Sequence, residues 1–193
     1  NSEFALQRQL NELSVLQAVS AAGMKSTQID ELISLTTQTL SNLLYPDNCG
    51  VFIYNESTHE LVRHNSYHGL SGNLQITPIK VGHGVVGNVF QVNAPLLVAD
   101  VNSFPGYITI HPDIKSEMAV PLRIGDRVFG VLNVESRQLS NYSTDDLRLL
   151  MTIAGQLSTA MEKIRLLENE HRRLQESETL RQAASIISTS LDL

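Results

Sequence analysis

Residues 116–136, SEMAVPLRIGDRVFGVLNVES, constrain the fold more than any other stretch of this chain. Residues 118–124 alternate imperfectly around Pro121, Gly125-Asp126 supplies a tight turn, and residues 128–134 are rich in β-branched side chains. Two such runs joined by Gly and Asp read as a β-hairpin, because branched side chains pack well on a pleated surface. A polar loop follows, then Tyr142-Ser143-Thr144-Asp145-Asp146-Leu147-Arg148-Leu149-Leu150, a capped start that runs into a long amphipathic helix. A strand pair feeding a long helix is the layout of a module that senses at a sheet and reports along the helix.

The rest of the chain supplies the remaining layers. Leu6, Leu10, Leu13 and Leu16 recur at helical spacing and predict a helix over 5–22, interrupted by Gly23. Leu32, Leu35, Leu40, Leu43 and Leu44 predict a second helix over 28–44. Strands are expected over 49–54 and 60–66, joined by a turn at 55–59, with a weaker strand over 74–81. A short helix over 84–92, a brief buried run at 95–101 and an irregular loop over 102–113 lead into the hairpin. Sequential strands joined by tight turns favour antiparallel pairing. The expected class is α+β: an antiparallel sheet of about five or six strands with flanking helices, spanning 26–166 as one domain between a helix at 1–25 and a helical segment at 167–193.

The last helix shows no stop until about residue 189, a length that argues for a coiled coil. Its stripe, Leu157, Met161, Ile164, Leu167, His171 and Leu174, outruns the domain in which it starts. A second copy of the same helix is the expected partner, giving a homodimer through the N- and C-terminal helices.

Net charge is −6, and the basic residues are scattered or confined to the C-terminal helix, so nothing concentrates positive charge for nucleic acid. No apolar run reaches bilayer-spanning length and no leader is visible, so no membrane contact and a cytoplasmic location are expected. Cys49 is the only cysteine and reads as a small buried residue opening a strand.

Residues 82–87, Gly-His-Gly-Val-Val-Gly, satisfy G-x-G-x-x-G, with Asp100 downstream. Only about eight residues separate Gly87 from Pro95, too few for a parallel crossover, so the glycines read as a turn that seats a helix close to the sheet. The histidines, at 59, 64, 68, 83, 111 and 171, show no spacing that closes a metal site. His64, on a strand, is a satisfied core histidine, a polar ligand contact or a haem ligand. No serine-hydrolase, Walker-type or paired-carboxylate pattern is found, and no catalytic centre is expected.

In this order the pieces resemble the GAF family of small-molecule sensory domains. The residues that carry the resemblance are Asn48 through Tyr54, Val81 through Gly87, Leu97 through Val101, Ser116 through Leu122, and Val128 through Leu132. The resemblance implies a pocket between the sheet and residues 74–115. By strand alternation and family position, its expected lining is Ile53, His64, Ser66, Val86, Val89, Asp100, Tyr107, Glu117 and Ala119. It names no cofactor. It also implies a regulatory domain that is not itself an enzyme and that signals through its helices to an output such as a histidine kinase or nucleotide cyclase; the alternative is a spacer that binds nothing small. Family members that reduce free methionine sulfoxide use a set of cysteines, and this chain has one. The cyclic-nucleotide pattern is matched only in part, by Ser136-Arg137, Tyr142 and Asp146-Leu147. Residues 180–193 resemble the first helix of a further such module.

Overall fold

The computed structural model describes residues 2–69, 77–109 and 111–191. Helices α1 (Ser2–Lys25) and α2 (Ile29–Leu43) precede strands β1 (Asn48–Asn55), β2 (Glu60–Arg63) and β3 (Ile79–Lys80). Helix α3 (Gly84–Val92), strand β4 (Leu96–Val98) and a short 3-10 turn (Val101–Ser103) lead to β5 (Ser116–Ile124), β6 (Arg127–Ser136) and α4 (Thr144–Leu191). The sheet order is β3-β2-β1-β6-β5-β4, and every neighbouring pair is antiparallel. The expected α+β class and long final helix are what the structure has. Of the weak strand expected over 74–81, residues 74–76 lie outside the described residues and Ile79–Lys80 pairs with β2.

The hairpin places β6 at the centre of the sheet, beside β1, and β5 next to the edge strand β4. β5 and β6 pair from Ser116↔Ser136 to Ile124↔Arg127, with a register shift at Leu122/Arg123, and Gly125 takes the left-handed turn at φ +58. Alternation along these strands divides two cores. Met118, Val120, Leu122, Leu132 and Val134 face a layer made by α1, α2 and α4. Ala119 and Val131 face the opposite side, with Phe52, Leu61, Tyr67, Val85, Val86, Val89 and Val101.

Helix α1 differs from its sequence reading. Its buried residues are Val15, Val19 and Ala22, while Leu6, Leu10 and Leu13 are exposed. It also runs through Gly23, because that position lies against Ala160 of α4: a Cβ there would come 2.8 Å from the Ala160 methyl. Helix α4 begins with a capping box in which Ser143 Oγ accepts from the Asp146 amide at 3.2 Å and Asp146 Oδ2 accepts from the Ser143 amide at 2.7 Å. Arg8 of α1 pairs with the same carboxylate and ties the two helices together. The expected dimer stripe on α4 is corrected in part. Leu157, Met161 and Ile164 are at most 4% exposed inside their own domain's core and have no free face for a second chain. From residue 165 to 186 every residue is exposed, including Leu167, His171 and Leu174.

The glycine cluster before α3 acts as the turn the sequence predicts. Gly82 and Gly84 have φ of +80 and +60, and a Cβ on Gly87 would lie 2.5 Å from the Lys80 carbonyl oxygen. Gly87→Ala favours the helix by about 1 kcal/mol in an open position. Here the backbone contact outweighs that gain, and a net loss of about 1–3 kcal/mol is expected by urea unfolding.

Candidate functional site

The side of the sheet opposite the long helices carries a polar cluster on an otherwise apolar floor. Glu117 of β5 stands directly across from Glu135 of β6 in the strand register, and both are about 3% exposed. Asn133, two residues from Glu135, donates Nδ2–H to Glu117 Oε1 at 2.5 Å and accepts from the Tyr67 hydroxyl. Asn48 of β1 donates Nδ2–H to Glu135 Oε2 at 2.8 Å. Tyr67 lies edge-on to Phe52, and the Arg63 guanidinium sits 5.7 Å above its ring. Tyr107 arrives from the irregular segment before β5 with its buried hydroxyl beside Glu117; among the described residues the Asn48 side-chain oxygen, Oδ1, has no hydrogen-bond partner.

Two carboxyl groups in a shared dry site cannot both ionise cheaply. Desolvation and then the charge of Glu135 hold the Glu117 carboxyl well above the usual carboxylate range, against the opposing hydrogen bond from Asn133. Desolvation raises Glu135 as well, against the hydrogen bond from Asn48. Burial, and then the nearby Glu117 charge, push the Tyr107 phenol up. Among the described residues no Lys, Arg or His forms an ion pair with either glutamate. Burial and mutual repulsion therefore favour a protonated form of the pair.

Of the residues expected to line a pocket, Val86, Val89, Tyr107, Glu117 and Ala119 are brought to this side. Asp100 stands at the edge and is used locally, capping the 3-10 turn by accepting from the Asn102 amide at 3.0 Å. Ile53, His64 and Ser66 are placed elsewhere. Ile53 is one residue out of phase with Phe52 and packs on the helical side. β2 ends at Arg63, after which the chain turns; His64 Nε2 lies 3.4 Å from Asp30 of α2, and its Nδ1 lies 2.8 Å from Ser66 Oγ. Ser66 Oγ in turn donates to Thr37 Oγ1 of α2 at 3.3 Å. Asn48, Tyr67, Asn133 and Glu135 were not anticipated. The available signal was the pair of polar residues, Asn133 and Glu135, spaced two apart in an otherwise apolar strand.

Cys49 lies on the helical face, fully buried, with its thiol 3.8 Å from the Thr37 carbonyl oxygen and pushed up to about 12 by desolvation. Among the described residues no group of three or more His, Cys, Asp or Glu side chains is placed to hold a metal ion. Among them, too, no helix is long and apolar enough to cross a membrane.

A family model for the GAF domain matches residues 26–162. GAF domain-containing protein A of Dictyostelium discoideum is 37% identical over 82 residues, covering 42% of this chain and 52% of that protein. The free methionine-R-sulfoxide reductase of Escherichia coli is 28% identical over 90 residues, covering 47% of this chain and 54% of the enzyme. The chain thus spans about half the length of the curated relatives it matches. Among solved structures, the free methionine-R-sulfoxide reductase of Neisseria meningitidis in complex with its substrate superposes with a TM-score of 0.73 at 25% identity, covering 81% of this chain and 91% of that one. These relatives correct the expectation that the chain belongs to a purely non-enzymatic class: proteins similar to it in both sequence and fold are enzymes.

Proposed function

This chain belongs to the GAF domain family, and we propose that it binds a small amine-bearing molecule, a free amino acid of the methionine sulfoxide kind, against the Glu117–Glu135 floor. The observation that carries this reading is the buried pair of facing carboxyl groups, with no ion-paired cation among the described residues. A ligand ammonium placed there supplies the missing charge and forms charge-assisted hydrogen bonds in a dry setting. Asn133 holds Glu117 in place, Asn48 holds Glu135, and Tyr107 covers the pair, so ligand access requires the segment bearing Tyr107 to lift. The substrate of the similar reductases fits this chemistry, since a free amino acid carries the ammonium group that the site lacks.

Thermal-shift titration tests the reading. Free L-methionine-R-sulfoxide and L-methionine are compared with N-acetylmethionine sulfoxide, which has lost the cationic amine. A ligand present at 100 times its Kd adds about 2.7 kcal/mol of stability. The free amine should stabilise the protein, the acetylated compound should not, and Glu117→Gln should remove the difference. Equal effects of the two compounds would overturn the reading. The same samples are assayed for loss of the sulfoxide with dithiothreitol as reductant, because relatives of this fold turn it over.

Signalling through the helices is part of the same proposal. The strands that carry the two glutamates present their other faces to α4 through Met118, Val120, Leu132 and Val134, and the Arg123 amide donates to Ser158 Oγ of α4 at 3.1 Å. A shift of β5 and β6 around a ligand therefore reaches α4 directly. The exposed leucines of α1 (Leu6, Leu10 and Leu13), beside the start of α4, and, further along α4, Leu167 and Leu174 are two separate surfaces proposed to meet a second copy. Sedimentation at micromolar concentration should give a dimer, and Leu10→Glu with Leu13→Glu should give a monomer.

A further inference from the structure

We propose a second ligand site, on the opposite side of the sheet from Glu117, that takes a compact amphiphilic anion: an apolar body ending in a carboxylate- or sulfonate-type group. The site is a cavity of about 450 Å³ where α4 leaves the domain. That size falls in the range of small-molecule pockets. Its apolar lining comes from four separate elements: Ile29 and Ile33 of α2, Ile53 of β1, Phe129 of β6 and Met161 of α4.

The charged lining decides the class of ligand. Arg165 and Arg172 both line the cavity, two helical turns apart on α4, and among the described residues neither makes an ion pair. Three carboxylates share the lining, and none of them engages either guanidinium. Glu56 is paired with Arg127, Asp30 lies beside His64 Nε2 at 3.4 Å, and Glu168 pairs with neither arginine although it sits between them in sequence. An anionic headgroup finds two unengaged guanidinium groups able to make bidentate, charge-assisted hydrogen bonds. The body of the ligand covers isoleucine and aromatic surface that is otherwise wet. A ligand here bridges α2, the end of the hairpin and the first exposed turns of α4, so its occupancy acts on the segment that leaves the domain.

The probe is 8-anilino-1-naphthalenesulfonate, compared with N-phenyl-1-naphthylamine, the same ring system without the sulfonate. With isoleucine δ1-methyl labelling, the sulfonate probe should shift Ile29, Ile33, Ile53 and Ile124 in a saturable way and leave Ile79 and Ile114 unmoved. The uncharged analogue should bind about tenfold more weakly, as should the sulfonate probe in the Arg165→Ala, Arg172→Ala double variant. Both arginines are exposed and unpaired, so the double variant keeps its fold, which circular dichroism verifies. Unsaturable fluorescence, shifts centred on Ile79 and Ile114, or equal affinity for both probes would overturn the proposal.

Discussion

Leu157→Ala is expected to destabilise the domain by about 3–5 kcal/mol, a loss approaching the whole stability of many small domains. Leu157 is fully buried in the core shared by the helices and the inner face of the hairpin, between Ile153 and Met161 on the same helix. The loss combines the transfer of its methyl groups with a cavity that flanking β-strands cannot collapse to fill. Chemical denaturation monitored by circular dichroism reads the midpoint. Leu167→Ala, less than one turn beyond the last core residue, Ile164, and exposed, should change the monomer's stability by less than about 0.5 kcal/mol. The contrast between these two leucines marks where the domain ends along α4.

Stability should also fall as pH rises from about 5 to 8, and Glu117→Gln should flatten that slope. Both Glu117 and Glu135 hold their protons more tightly in the folded state than in the unfolded chain. Their contribution is therefore fully present below the ordinary carboxylate range and is lost as pH climbs through the raised folded values, because over that window the native state binds more protons than the unfolded one. Gln at position 117 keeps an acceptor for Asn133 and removes the ionisable group, so the variant should be more stable than the parent at pH 8. Calorimetric melting across the pH series checks both statements. A parent whose melting point rises steadily from pH 5 to 8 would show that these carboxyls are not held protonated.

What the sequence revealed depended on how one-sided each element is. The hairpin was legible because its residues alternate between two different environments, which also placed Glu117 and Ala119 on the same side. β1 carries no such signal: Asn48 through Phe52 are all buried, so the strand's parity is not legible, and Ile53 packs on the helical side instead of the expected pocket side. His64 and Ser66 were assigned by extending β2 past Arg63, where the backbone turns and the Tyr67 amide bonds to the His64 carbonyl. On α1 the leucine stripe was more prominent than the valines that are buried, because helical spacing alone does not say which of two apolar faces meets the core. The partner of Glu117 was missed because residues 18 positions apart become neighbours only once the hairpin register is known.

The Glu117–Glu135 carboxyl pair is proposed to exchange a proton for a ligand's ammonium. Isothermal titration of free L-methionine-R-sulfoxide at pH 7, in two buffers with very different ionisation enthalpies, tests this directly. Saturable binding with buffer-dependent heat, showing proton release that disappears in Glu117→Gln, is the predicted result. Binding with identical heats in both buffers, unchanged by Glu117→Gln, or no saturable heat at all, would contradict it.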